Sequence, residues 1–262
     1  MREYRLTLLK NLMQKFLILN FILVFSLFAA PPAAKPSSTL ELIRQIPHTG
    51  YSEGIDYHNG YLWHALPKEL KKIDPKDGTV LGTFKPATPY SESLTWFQDR
   101  LWNLSYDDNG LYAGKLEGKQ FIFKKEFSLP ESHGWGIEHR GKEIVFTGNY
   151  SNKLYFYDPA KKIITRTLAT EGAALEDLAW DGTYFWSSSF TQDRGQIFAI
   201  HPETGKIMGK FALPESTACN IIDGTAYDGK NLWVTGKECA SIYYFKIPKI
   251  TPERAITNKN SK

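Results

Sequence analysis

Four carboxylates and a tryptophan stand at equivalent points of a repeating pattern in this chain: Glu53, Glu92, Trp135, Glu176 and Asp223. Each precedes a pair that opens a short strand-like run: Gly54-Ile55, Ser93-Leu94, Gly136-Ile137, Asp177-Leu178 and Gly224-Thr225. Carboxyl groups crowded beside an aromatic wall raise one another's pKa. A carboxyl tuned that way is suited to general acid–base chemistry. Taken singly, any of these acids reads most simply as a hairpin cap bonding backbone N–H groups. As a set they read as a functional mouth, with Glu92 in Pro89-Tyr-Ser-Glu-Ser-Leu94 as the expected proton carrier. Lys237, in Val234-Thr-Gly-Lys237, ends the inner hairpin of the last copy and could reach the same mouth, although a solvated surface lysine is the plainer reading of that position alone.

Other chemistry is thin. The six histidines are scattered without the spacing of a zinc site. The chain has no glycine-rich phosphate loop, no Gly-x-Ser-x-Gly elbow and no cysteine beside a base. No metal and no cofactor is expected.

The elements that must position these residues are strands. After residue 40 no long helical pattern appears, and short apolar or alternating runs bounded by Asp, Asn, Gly and Pro dominate. One pattern, strand–turn–strand, recurs with its turns at Gly60, Asp99, Gly141, Gly182 and Gly229, in steps of 39, 42, 41 and 47 residues. A second pattern follows it in Leu70-Lys-Lys-Ile-Asp-Pro-Lys-Asp-Gly-Thr-Val80, in Leu154-Tyr-Phe-Tyr-Asp-Pro-Ala160 and in Ile197-Phe-Ala-Ile-His-Pro-Glu-Thr-Gly-Lys-Ile207. Proline cannot donate to a ladder, so it ends the strand there. Five copies of a four-strand unit predict an all-β fold, a five-bladed β-propeller of four-stranded antiparallel blades. An extra strand at Leu40–Ile46 would complete the last blade and close the ring. Cys219 and Cys239 lie ten residues either side of Gly229. A regular hairpin would set them opposite each other for a disulfide, whereas a bulge would leave two buried thiols.

The ends of the chain read differently. Arg2, Arg5, Lys10 and Lys15 precede an apolar run from Phe16 to Ala30, which the segment Pro31–Ser38 breaks. That is a secretory signal pattern, too short for a spanning helix. The expected organisation is a signal peptide at 1–30, a Pro/Ser-rich linker at 31–38, the propeller at 39–250 and a basic tail at 251–262. The mature protein would be periplasmic or secreted, with no membrane attachment. The signal carries most of the formal net charge of +4. The rest is near neutral, which argues against nucleic acid.

Six stretches, in order, resemble the bacterial and plant glutamine cyclotransferase family, the metal-independent glutaminyl cyclases. Pro47-His48 with Tyr51-Ser-Glu-Gly-Ile55 is similar to that family's Pro-His and Phe-Thr-Gln-Gly-Leu. Tyr90-Ser-Glu-Ser-Leu94 resembles Phe-Gly-Glu-Gly, and His133-Gly-Trp-Gly-Ile137 resembles Glu-Gly-Trp-Gly-Leu. Leu175-Glu-Asp-Leu178 is similar to Leu-Asn-Glu-Leu. Asp223-Gly-Thr-Ala-Tyr-Asp228 and Leu232-Trp-Val-Thr-Gly-Lys237 resemble Asn-Gly-Ile-Ala-Tyr-Asp and Leu-Phe-Val-Thr-Gly-Lys. The resemblance implies a five-bladed propeller, the count reached from the repeats. It implies a glutaminyl-peptide cyclotransferase, an aminoacyl-group acyltransferase that closes N-terminal glutamine to pyroglutamate and releases ammonia. Glu92 would then shuttle the proton and Lys237 polarise the amide oxygen. Tyr51, Glu53, Tyr106, Trp135, Glu176 and Phe190 would bind substrate, a peptide or protein N-terminus bearing Gln, and the protein would act as a monomer. Four departures stand out: Tyr106 for a tryptophan, Glu176 for a substrate-holding asparagine, Phe190 or Ser189 for another tryptophan, and His64-Ala-Leu-Pro67 where the family has Glu-Ser-Thr-Gly. They leave open a relative that binds an amine-bearing or peptide ligand at its acidic mouth without turning it over.

Overall fold

The structure, a computed structural model, describes residues 38–48, 50–172, 174–191 and 194–250. The expected signal peptide and basic tail, and all of the linker but Ser38, lie outside them. The described residues form strands and turns gathered into five sheets. The sheets span residues 55–84, 91–128, 137–169, 179–212 and 224–246, here blades 1 to 5. The innermost strands are Ile55–His58, Ser91–Phe97, Ile137–Arg140, Ala179–Trp180 and Gly224–Tyr227, and each touches the next in a closed ring. This is the five-bladed propeller read from the repeats.

Closure follows the expected route. The strand Glu41–Pro47 pairs antiparallel with Ser241–Lys246 and supplies the outermost strand of blade 5. One feature has no counterpart in the sequence pattern. Ser38–Thr39 pairs parallel with the outer strand Ile207–Ala212 of blade 4, so the N-terminal stretch staples two neighbouring blades.

The core divides as the ring does, into five apolar clusters, one in each interface between adjacent blades. Leu62, Ile73 and Trp233 join blades 1 and 5, and Trp63, Leu94 and Phe121 join blades 1 and 2. Each inner strand begins buried, and none of its residues is exposed. The outer strand Ile163–Ala169 alternates exposed and half-buried residues, as a strand with one covered face must. The turns repeat too. Asp181 accepts from the Thr183 and Tyr184 amides and from the Trp186 indole at 2.7 Å. Asp228 does the same for Lys230, Asn231 and the Trp233 indole. That explains the shared Asp-Gly-x-x-x-Trp of copies four and five.

Near the axis the chains approach closely. A Cβ on Gly136 would lie 2.1 Å from the Glu176 carbonyl oxygen, and one on Gly54 would lie 2.4 Å from the Ser93 hydroxyl. Asp177 fills the corresponding position of blade 4. Its Oδ2 accepts from the Ile55 amide at 2.9 Å and the Thr225 amide at 3.3 Å. Its Oδ1 accepts from the Ser93 hydroxyl at 2.5 Å and the Ile137 amide at 3.5 Å. One buried carboxyl thus ties blades 1, 2, 3 and 5 to its own.

Candidate active site

Directly above this axial knot lies a cavity of about 410 Å3. Glu92, Glu176 and Lys237 line it, with Tyr51, Tyr90, Tyr106, Trp135, Tyr150 and Phe190 as aromatic walls and Ile221 and Glu238 completing it. The repeat explains how residues so far apart in sequence meet. Glu92, Trp135 and Glu176 each enter the ring at the start of an inner strand, so they converge at one end of the axis.

Glu92 owes its position to a β-bulge. Ser91 pairs with Ser105 and Ser93 with Leu104, so Glu92 is the extra residue between them. A bulge turns the side chain out of the ladder. The residue is only 5 % exposed, and its Oε2 has no hydrogen-bond partner among the described residues. Burial, reinforced by the charge of Glu53, pushes its pKa well above the ordinary carboxylate range, against the pull of Lys237. Glu176 is raised in the same way, by burial first and then by Asp223.

Glu53 and Asp223 play a different part from the one the repeat suggested. The structure sets both behind the lining rather than on it. The Lys237 ammonium lies 2.9 Å from Glu53 Oε2 and 2.9 Å from Asp223 Oδ1, and its backbone amide donates to Asp223 Oδ2 at 2.6 Å. The Tyr90 hydroxyl donates to Glu53 Oε1 at 2.6 Å. Burial raises the Glu53 pKa to about 7, although Lys237 and Tyr90 oppose it. Burial alone would lower the Lys237 pKa, but Asp223, Glu53, Glu92 and Glu176 together more than reverse this, so the ammonium stays charged. Of its three N–H donors, two face carboxylates, which leaves one for a guest.

The aromatic side chains form two walls. Tyr106 stacks on His133 at 4.4 Å and lies 5.1 Å from Tyr90. Trp135 meets Tyr150 edge-on at 4.7 Å and Phe190 at 6.1 Å. The Tyr51 ring sits 5.5 Å from the Lys237 ammonium. Of the expected site residues, Glu92, Lys237, Tyr51, Tyr106, Trp135, Glu176 and Phe190 share this cavity, and Glu53 backs it. Phe190, not Ser189, supplies the wall. Tyr90 and Tyr150 are additions. Tyr90 could have been found two residues before Glu92, whereas nothing in the residues around Tyr150 marks it.

Cys219 and Cys239 form the disulfide and bridge two backbone segments beside Ile221. Among the described residues no group of three His, Cys, Asp or Glu side chains is arranged to hold a metal ion.

Fold and cavity together define a propeller with a pocket of buried carboxyls, one ammonium and aromatic walls at one end of its axis. The chain belongs to the glutamine cyclotransferase family, whose profile matches residues 17–247. A solved structure of the same fold is the Myxococcus xanthus glutaminyl cyclase, with a TM-score of 0.67 at 14 % identity, covering 81 % of this chain and 98 % of that one. An inactive virginiamycin B lyase of Staphylococcus aureus matches at 18 % identity with a TM-score of 0.48, over 75 % of this chain and 66 % of its own, too distant to carry an argument. No curated protein sequence matches the chain.

Proposed function

We propose that this protein converts the N-terminal glutamine of a peptide or protein to pyroglutamate and releases ammonia. One observation carries the reading. A buried carboxyl with a raised pKa, Glu92, and an ammonium with one uncommitted N–H, Lys237, line the same aromatic-walled cavity.

The unprotonated α-amine attacks the side-chain amide carbon. As that C–N bond forms, the ionised Glu92 takes a proton from the amine, and the negative charge gathering on the amide oxygen is met by the free Lys237 N–H. The protonated Glu92 then gives its proton to the amide nitrogen. The old C–N bond breaks, ammonia leaves, the carbonyl reforms and Glu92 is a carboxylate again. A raised pKa makes Glu92 a stronger base in the first step, and the proton it takes there is the one it delivers in the second. An α-amine with a pKa of about 7.7–8.0 is partly free near neutral pH.

Glu176 stands where the resemblance expects asparagine. Burial raises its pKa well above the ordinary carboxylate range, and in its protonated form a carboxyl offers one donor and one acceptor, much as a carboxamide does, so the substitution is compatible with holding a substrate. An exported location, periplasmic or secreted, fits the Cys219–Cys239 disulfide, because such bonds persist in oxidising compartments. The rival reading, a binder of N-terminal amines that performs no reaction, draws on the same Glu176, since its carboxylate form would hold an ammonium and oppose its deprotonation. Mass spectrometry of a Gln-led peptide decides between them. Loss of ammonia, abolished by Glu92→Gln, supports cyclisation; binding with no change of mass rejects it.

A further inference from the structure

Three aromatic side chains are exposed among the described residues, and all three lie on the rim of this one cavity: Tyr51 at 52 %, Tyr106 at 39 % and Tyr150 at 57 %. Elsewhere the large exposed hydrophobics are aliphatic. Tyr150 is held there against its own backbone preference. Asn149 and Tyr150 take φ of 42° and 60°, in a turn closed by the Ser151 amide donating to the Gly148 carbonyl at 3.1 Å. Two successive positive φ values favour Asn-Gly, and the Asn59-Gly60 turn of blade 1 uses that pair at 51° and 85°. At residue 150 a bulky aromatic replaces the glycine. Backbone strain of this kind persists where the surroundings hold it, and it clusters at ligand sites. The strained turn presses Tyr150 against Trp135 and Phe190, and Tyr106, stacked on His133, lines the same cavity. Glu238, exposed and without a cationic partner among the described residues, adds a negative charge to the rim.

We infer that this rim is a second subsite, which takes the side chain following the terminal residue of the substrate and selects an aromatic one, with Tyr150 the specificity-determining residue. The inference rests on the proposed peptide substrate. A planar side chain between the two walls gains offset or edge-on ring contacts, which Gly or Ala at that position cannot make. An acidic side chain there meets Glu238.

The test compares ammonia release from Gln-Phe, Gln-Gly and Gln-Glu peptide amides by the protein and by its Tyr150→Ala and Tyr150→Phe variants. In parallel, calorimetry measures binding of the same peptides led by norvaline, which cannot cyclise. The expected kcat/KM ratio of Gln-Phe to Gln-Gly is about threefold to tenfold, from the worth of one aromatic pair, with Gln-Glu below both. Tyr150→Ala brings the Phe/Gly ratio near one and Tyr150→Phe keeps it. Because each ratio is taken within one protein, a general loss of activity cancels. A ratio near one in the unaltered protein, or one that Tyr150→Ala leaves standing, overturns the subsite. If no peptide releases ammonia yet norvaline-Phe still binds more tightly than norvaline-Gly in a Tyr150-dependent way, the cyclase reading falls and the subsite stands. If no norvaline peptide binds and no Gln peptide reacts, both fall.

Discussion

Replacing Glu92 by glutamine should cost activity and add stability, and the two effects share one cause. The side chain is buried, one of its oxygens has no partner among the described residues, and burial with the Glu53 charge raises its pKa well above the ordinary value. A positioned general acid–base is worth about 10²- to 10⁴-fold, so kcat/KM on a Gln-led peptide should fall by that much. A buried unsatisfied polar group costs about 1–3 kcal/mol, more when charged. Glutamine keeps the shape but never carries the charge, and its amide still lacks one partner. The net gain should be about 1–2 kcal/mol near neutral pH, or roughly 2–8 °C in Tm for a domain of this size. The sign of the pH dependence is fixed. The folded carboxyl holds its proton to higher pH than the unfolded one does. In that window the native state binds more protons, so the unaltered protein loses stability as pH rises. The Glu92→Gln protein lacks this loss, so the Tm gap should be small near pH 4.5 and widen towards pH 8. Calorimetric melts across that range, run beside the ammonia assay, test both halves. Ordinary turnover in the variant would remove Glu92 from the chemistry. A variant less stable than its parent, with a gap flat in pH, would refute the account of why the residue is strained.

The other expectations concern its neighbours. Lys237→Met should lower kcat/KM by about 10²- to 10³-fold through loss of the oxyanion donor. It should also destabilise the fold by about 3–5 kcal/mol, because Glu53 and Asp223 lose their counter-charge; unchanged denaturation with normal turnover would contradict both. Glu176→Gln should retain cyclisation and extend activity to higher pH, since the amide cannot ionise where the buried carboxyl eventually does; loss of activity at every pH would show that the carboxyl itself is needed. Asp177→Ala should cost about 3 kcal/mol or more in urea unfolding, because three buried backbone N–H groups from three blades lose their acceptor at about 1–3 kcal/mol each. A loss below 1 kcal/mol would mean that the axis closes without it.

The repeat in the sequence settles the architecture. Turn signals near Gly60, Asp99, Gly141, Gly182 and Gly229 recur at blade length, and the leftover strand before them has a place only on the last blade. A hydrophobic strand carries its period locally, so the blades can be counted without coordinates. The same period names Glu92, Trp135 and Glu176, because equivalent positions in a ring of blades converge at one end of the axis.

That logic stops at the level of position and cannot distinguish members of the set. Glu53 and Asp223 share the register of Glu92 and Glu176, yet they sit behind Lys237 and neutralise it, while the bulge at Glu92 turns its carboxyl into the cavity. Asp177, one residue past Glu176, belongs to the axial knot, a role visible only once donors from four other blades meet it. Tyr150 sits in a turn whose backbone contradicts its residue type, so no local signal announces it. A short periodic chain can say which residues stand at the same height. Which of them is paired, which is orphaned and which is strained depends on partners tens to nearly two hundred residues away, and those partners exist only when the ring has closed.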